Sequence, residues 1–249
     1  MIFSRYRKGH SIHSPFVYGF VEDVIYGKDR FDYSGLNDLR QKLSKDHTVI
    51  SVRDPGAGSK TGLEKERNIS QITTHTAIKT KYGRLLTRLA HWHAPDTIIE
   101  LGTGIGLSTV YLAIGGRSSN IMTIEGIEEI AVMAKNTVST MKLTNVEIHQ
   151  GLFSEKLPNV LHNIKDKVLV FIDGDHSREN LLQYYSLIRE YSNDDTVIVI
   201  DDIYWSGSME MAWKELIAEP EVSISIDLFQ MGILFFKKGL GKQHYVMRY

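Results

Sequence analysis

Residues 96–108 read Asp-Thr-Ile-Ile-Glu-Leu-Gly-Thr-Gly-Ile-Gly-Leu-Ser. The run Thr97–Leu101 is short, apolar and β-branched, which predicts a buried strand. Gly102, Thr103, Gly104, Ile105 and Gly106 then form a turn, and Ser108 to Gly115 (STVYLAIG) resumes at helical spacing. Glycines at a strand-to-helix turn let a ligand come close to the main chain, and the helix that follows opens with unpaired N–H groups. This unit predicts a ligand crevice at the carboxyl end of a strand.

Outward from it, the alternation continues. The segments NIMTIEG (120–126), NVEIHQG (145–151), KVLVFIDGD (167–175) and DTVIVIDD (195–202) read as strands. Between them lie the helical segments IEEIAVMAKNTVSTM, HSRENLLQYYSLIREY and, after the last strand, MEMAWKELI. VSISIDLF and GILFFKK close the chain as an antiparallel pair around Gln230–Gly232. Repeated strand–helix alternation predicts a Rossmann-like doubly wound α/β domain, mainly parallel, with a C-terminal antiparallel hairpin strand. That domain is assigned to residues 71–249, and 1–70 to a helical N-terminal extension and loop. Within the extension, Ser14 and Pro15 start a helix to Tyr26 with Phe16, Val17, Phe20, Val21 and Val24 on one face. Residues 51–68, around DPGAGSKTG, read as a loop, and 69–93 as helix in two pieces interrupted at Tyr82–Gly83.

The chain has 249 residues, 42% hydrophobic and 24% charged, with a formal net charge of -1 and no cysteine. That composition is ordinary for a globular protein, and the charge gives no support to a nucleic-acid or anionic-membrane partner. Disulfides, thiolate metal sites and a cysteine nucleophile are excluded. The N-terminus has no apolar run after its basic residues, and no stretch has the length of a membrane span, so the expectation is a cytoplasmic protein without a membrane. GAGSKT (56–61) lacks the glycine that precedes lysine in a phosphate-binding loop and is set aside. RYRK (5–8) is too short for a nucleic-acid patch, and His10, His13, His91 and His93 show no metal-ligand spacing.

The glycine spacing 102–104–106 is one residue short of the dinucleotide fingerprint, and Leu107 stands where a small residue would be needed. Glu100, just before the loop, is awkward beside a pyrophosphate but suits the ammonium group of a sulfonium cofactor. Glu125, ending the second strand, is placed to accept hydrogen bonds from both ribose hydroxyls; a solvated strand end is the plainer alternative. Asp173, Asp175, Asp201 and Asp202 end the fourth and fifth strands. Carboxylates crowded there repel one another unless a cation sits among them, and a magnesium ion with oxygen ligands is one answer. Helix capping and water-mediated contact with a cofactor amine are the other. His176 reads either as a general base toward the acceptor or as a helix-start residue bonded to Asp173 or Asp202.

Together, E-L-G-T-G-I-G-L-S (100–108), T-I-E-G (123–126), F-I-D-G-D-H (171–176) and I-D-D-I-Y-W (200–205) resemble class I S-adenosylmethionine methyltransferases, and among them the small-molecule O-methyltransferases of the catechol and caffeoyl-CoA type. The resemblance runs from about Lys81 to the C-terminus. It implies S-adenosylmethionine as cofactor and methyl transfer to an oxygen, or nitrogen, of a small-molecule acceptor. It places Glu100, Gly102, Thr103, Gly104 and Ser108 around the methionine part, Glu125 at the ribose, and Gly126, Gly151 and Phe153 at the adenine. Tyr82 and Gly83, in KYGRLL, fall in that group's cofactor-lining segment. Asp173 would face the reaction centre, and Asp173, Asp201 and Asp202 match metal ligands. The chain departs from the pattern at Asp202, where asparagine is usual, and at His176, where a lysine often acts as base. Tyr204 and Trp205 are placed toward the acceptor, Trp213 in the core. The extension is read as a lid on the acceptor site or a homodimer contact. A non-catalytic nucleoside-binding module and an NAD-type oxidoreductase are the competing readings.

Overall fold

The computed structural model describes residues 13–52, 65–164 and 167–249. Its centre is an eight-stranded sheet in the order β10-β8-β9-β7-β6-β3-β4-β5. The strands are β3 (Thr97–Leu101), β4 (Asn120–Glu125), β5 (Val146–Gln150), β6 (Val168–Ile172), β7 (Val197–Asp201), β8 (Ile224–Asp227), β9 (Met231–Phe235) and β10 (Gln243–Val246). β5 through β7 run parallel; β9 pairs antiparallel with both β7 and β8. β10, which sequence reading did not separate, pairs parallel with β8 at the sheet edge. Every residue of β3, β6 and β7 is buried, as a parallel sheet covered on both faces requires.

Helices α5 (Leu107–Gly115), α6 (Glu128–Thr140), α7 (Phe153–Leu161), α8 (Arg178–Glu190) and α9 (Gly207–Ala218) alternate with these strands. Ser177 and Ser206 cap α8 and α9, their hydroxyls accepting from Asn180 N and Met209 N. Trp213, on α9, is buried in the core. In register, Leu101 lies beside both Ile124 and Ile172, so the ends of β3, β4 and β6 open into one crevice.

The N-terminal extension is built into the same body. α1 (Pro15–Phe20) is capped by Ser14 and continues as a π-helical turn, Val21–Ile25. Phe16 and Phe20 make edge contacts with Trp92 and with Phe235 of β9, each ring pair contributing about 1 kcal/mol beyond its buried area. A further helix, α2 (Ser34–Leu43), precedes a two-stranded antiparallel ribbon of β1 (Val49–Val52) and β2 (Lys65–Asn68). The expected loop over 51–68 is therefore strand at both described ends; residues 53–64, with the GAGSKT segment, lie outside the described residues, as do RYRK and His10. The ribbon forms because its two strands pair across that long connection, a contact with no local sequence signal.

After β2 come α3 (Ile69–Gln71), a second π-helical turn (Ile72–Thr76) and α4 (Thr80–His93). The expected interruption at Tyr82–Gly83 is corrected: α4 runs through it. A side chain at Gly83 would overlap the Tyr111 ring of α5, so the glycine serves helix-on-helix contact rather than a break. His93 is buried and pairs through Nε2 with Val168 O at 3.2 Å; desolvation pushes its pKa down to about 4. No described helix is long and apolar enough to cross a membrane.

Candidate active site

The crevice is a cavity of about 620 Å³. Its floor is the turn after β3. Gly102 has φ of 98°, and any side chain there would overlap the Asp173 carbonyl, so only glycine lets the ends of β3 and β6 meet this closely. Asp173 N donates to Leu101 O at 2.8 Å across the same junction. Of the expected site residues, Gly102, Thr103, Gly104, Ser108, Glu125, Gly126, Phe153, Asp173 and His176 all line this cavity.

Glu125 is tied into the loop. Its Oε2 accepts from Gly104 N at 2.8 Å and its Oε1 from Ile127 N at 3.0 Å. Two backbone donors fix the carboxylate in one orientation. Phe153 stands edge-on to Tyr184 at 5.6 Å and packs over Gly174.

Glu100 lies one layer below. It is fully buried, and its Oε2 accepts from Thr109 Oγ1 at 2.5 Å and Thr123 Oγ1 at 2.7 Å. Its Oε1 has no partner, and burial pushes its pKa up to about 7. It supports the loop from beneath rather than lining the cavity. Gly151 also stands outside the cavity wall, its N–H donating to Glu125 O at 2.9 Å. Tyr82 and Gly83 are set back from it too, Tyr82 against Tyr249 with ring centroids 5.5 Å apart.

The carboxylates do not all face the cavity. Asp173 is on the cavity wall, and burial, reinforced by the charges of Asp201, Glu100, Asp202 and Glu125, drives its pKa well up. Asp201 is buried off the wall, its Oδ1 unpartnered; desolvation, then Asp202, raise its pKa to about 7. Asp202 adopts a left-handed backbone (φ 54°), a conformation that Asp and Asn tolerate best among side-chain-bearing residues. Its Oδ1 accepts from Gln230 Nε2 at 2.9 Å and its Oδ2 lies 3.9 Å from His176 Nε2. Among the described residues, no group of three His, Asp or Glu is arranged to hold a metal ion. The expected magnesium ligands are thus divided between the cavity wall, the core and a hydrogen bond to Gln230.

His176 stands at the α8 end of the cavity, 6.1 Å in ring centroids from Trp205, which is 69% exposed. Tyr204 OH is committed to Asp227 Oδ2 at 2.5 Å. Asp175 Oδ2 accepts from Asn180 Nδ2 at 2.6 Å and Tyr184 OH at 2.9 Å, which fixes the turn that carries His176. Sequence reading missed the opposite wall: Arg67, Ile72, Thr76, Ala77 and Ile78, all from the segment before α4. No local pattern marks them, since they reach the site through tertiary contact.

Comparison with known proteins agrees with this geometry. Residues 99–203 match a family model described as a methyltransferase domain. The chain is 29% identical over 135 residues to a catechol O-methyltransferase of Mycobacterium tuberculosis, covering 53% of this chain and 60% of that protein. It is 36% identical over 86 residues to protein-L-isoaspartate O-methyltransferase 1 of Polaromonas sp., covering 34% of this chain and 35% of that protein. The matches thus span less than two thirds of either relative. Among solved structures, an O-methyltransferase from Bacillus cereus in complex with SAH superposes with a TM-score of 0.61 at 20% identity, over 88% of this chain and 97% of that one. TomG of Streptomyces achromogenes, an O-methyltransferase in complex with SAM, gives 0.58 at 20% identity over 65% and 82%. Residues 99–203 therefore carry a methyltransferase domain on a fold shared with solved O-methyltransferases, and the chain is similar to catechol O-methyltransferase over about half of its length.

Proposed function

We propose that this protein transfers the methyl group of S-adenosylmethionine to an oxygen, alternatively a nitrogen, of a small-molecule acceptor. One observation carries the reading: a single cavity joins the glycine loop and Glu125 at one end to Asp173 and His176 at the other. Its volume of about 620 Å³ falls within the usual range for cofactor and ligand sites.

The residues fit the cofactor. An ionised carboxylate accepts several hydrogen bonds at once, so Glu125 can hold its own loop and a sugar diol together. Asp173, Asp201 and Glu100 are carboxyls whose burial disfavours charge, and two of them carry an unpartnered oxygen. A cationic ligand in the cavity would offset that cost at Asp173, the one of the three on the wall. When bound, the sulfonium supplies a methyl group already activated for in-line displacement.

The chain's remaining tasks are positioning and proton removal. His176 is placed to take the acceptor's proton, and Asp202 attracts the imidazolium that results. Trp205 offers an exposed ring beside it. The residues do not fit a magnesium centre, because Asp201 is off the wall and Asp202 is engaged by Gln230; no step is routed through a metal.

Calorimetry with S-adenosylhomocysteine and with NAD, then turnover on a panel of phenols and catechols, tests the reading. Binding of the first nucleoside but not NAD, with methyl transfer, is expected. NAD binding would favour an oxidoreductase; nucleoside binding with no turnover on any acceptor would favour a binding module.

A further inference from the structure

The cavity has two walls of different origin. One is the glycine loop with Glu125 and its neighbours, inside the matched methyltransferase domain. The other is formed by Arg67, Ile72 and Thr76–Ile78, which precede that domain. This second wall is anchored at both ends. Asn68 Oδ1 accepts from Ser70 N at 2.9 Å and its Nδ2 donates to His47 O at 3.0 Å; Ser70 N donates to Asp46 O at 2.8 Å. At the far end Arg40 Nη2 donates to Ile78 O at 2.5 Å. The segment between is a π-helical turn in which Thr73, Thr74 and Thr76 each return their hydroxyl to the carbonyl four residues back. π-helical turns are rare and frequently stand at functional sites.

Arg67 is the one lysine or arginine on the cavity wall among the described residues. Its guanidinium has no ion-pair or hydrogen-bond partner among them. It sits in β2 opposite Ile50 of β1, and β1 packs on α6, the helix that starts directly after Glu125–Ile127. Arg67 thus reaches the cavity from a ribbon that packs on the helix following Glu125. Guanidinium groups only donate, and they stack on aromatic faces. A ribose and an adenine ring would offer acceptors and a face, whereas a sulfonium would repel the guanidinium.

We infer that residues 67–78, ahead of the matched domain, are a cofactor-binding wall, and that Arg67 holds the nucleoside half of the cofactor. This rests on the proposed S-adenosylmethionine site and assigns it residues outside the matched domain.

Titration calorimetry of the full chain with S-adenosylhomocysteine and with adenosine, on the unsubstituted protein, Arg67→Ala and Arg67→Lys, tests it. Arg67→Ala should weaken both ligands about tenfold, the loss of a hydrogen bond from a charged donor. Arg67→Lys should recover part of it. Ligand-free melting should not change, because the side chain is exposed and unpartnered. Hydrogen exchange at residues 67–78 should slow when S-adenosylhomocysteine binds. Equal affinities for all three proteins would overturn the role of this wall while leaving the methyltransferase reading intact. Weaker S-adenosylhomocysteine with unchanged adenosine would overturn the nucleoside assignment. No binding by the unsubstituted protein removes the underlying reading and this inference with it.

Discussion

The two walls of the cavity do similar work by different physics. The loop wall, Gly102–Ser108 with Glu125, is held by backbone hydrogen bonds between neighbouring parallel strands and the turns at their ends. Its geometry is local, so it is written in a run of a few residues. The N-terminal wall, Arg67–Ile78, is held by side chains that reach across long sequence separations, such as Arg40 to Ile78 and Asn68 to His47. The difference teaches that a binding site can be half legible: the half that backbone geometry dictates carries a motif, and the half assembled by docking does not.

The largest effect should come from breaking the loop wall. Glu125→Ala removes the acceptor for Gly104 N and Ile127 N as well as for the sugar, and should lower S-adenosylhomocysteine affinity by about 100-fold or more, measured by calorimetry. A loss of less than about tenfold, comparable to that of Arg67→Ala, would show that the two walls contribute alike. At the acceptor end, His176→Ala should cut turnover by about 10²–10³-fold with S-adenosylhomocysteine affinity nearly unchanged, separating proton removal from cofactor binding. Unaltered turnover on a genuine acceptor would assign His176 a structural part only.

Gly83→Ala probes the packing that brings the N-terminal segments onto the domain. Its new methyl meets the Tyr111 ring, and overpacking of this kind costs about 1–3 kcal/mol, readable as a lower urea midpoint. Asp201→Asn should show its effect through pH. Burial raises the Asp201 pKa from the ordinary carboxylate range to about 7, so its burial costs nothing while it is protonated and progressively destabilises the fold as pH rises from about 4 to about 7. The variant should therefore melt at a higher temperature than the unsubstituted protein at pH 8, with the gap closing by pH 4. A gap independent of pH would mean that Asp201 is ionised throughout. Smallest of all is the effect of a chelator: turnover should be unaltered by EDTA, and a loss restored by magnesium would show that Asp173, Asp201 and Asp202 regroup around an ion.

Sequence reading located the sheet because buried parallel strands are continuous apolar runs, and Thr97–Leu101, Val168–Ile172 and Val197–Asp201 are just that. It failed at α2 and the β1–β2 ribbon. Ribbon pairing between Val49–Val52 and Lys65–Asn68 depends on partners far apart in the chain, and α2 has only Leu36 buried. It also read Tyr82–Gly83 as a break, because glycine lowers helix propensity; contact with Tyr111 outweighs that preference.

By itself, the sequence determined the strand–turn–helix unit at Thr97–Gly115, the parallel strands β4 to β7 that follow it, and the glycine loop with Glu125. These depend on periodicity and backbone conformation, which each residue expresses where it stands. Only the tertiary structure decided which carboxylates share the cavity and which are buried beneath or beside it, and only it brought Arg67 and Ile72 against the same space. A side chain's burial and partners are set by elements that fold against it from elsewhere in the chain, so its own neighbours in sequence carry no record of them.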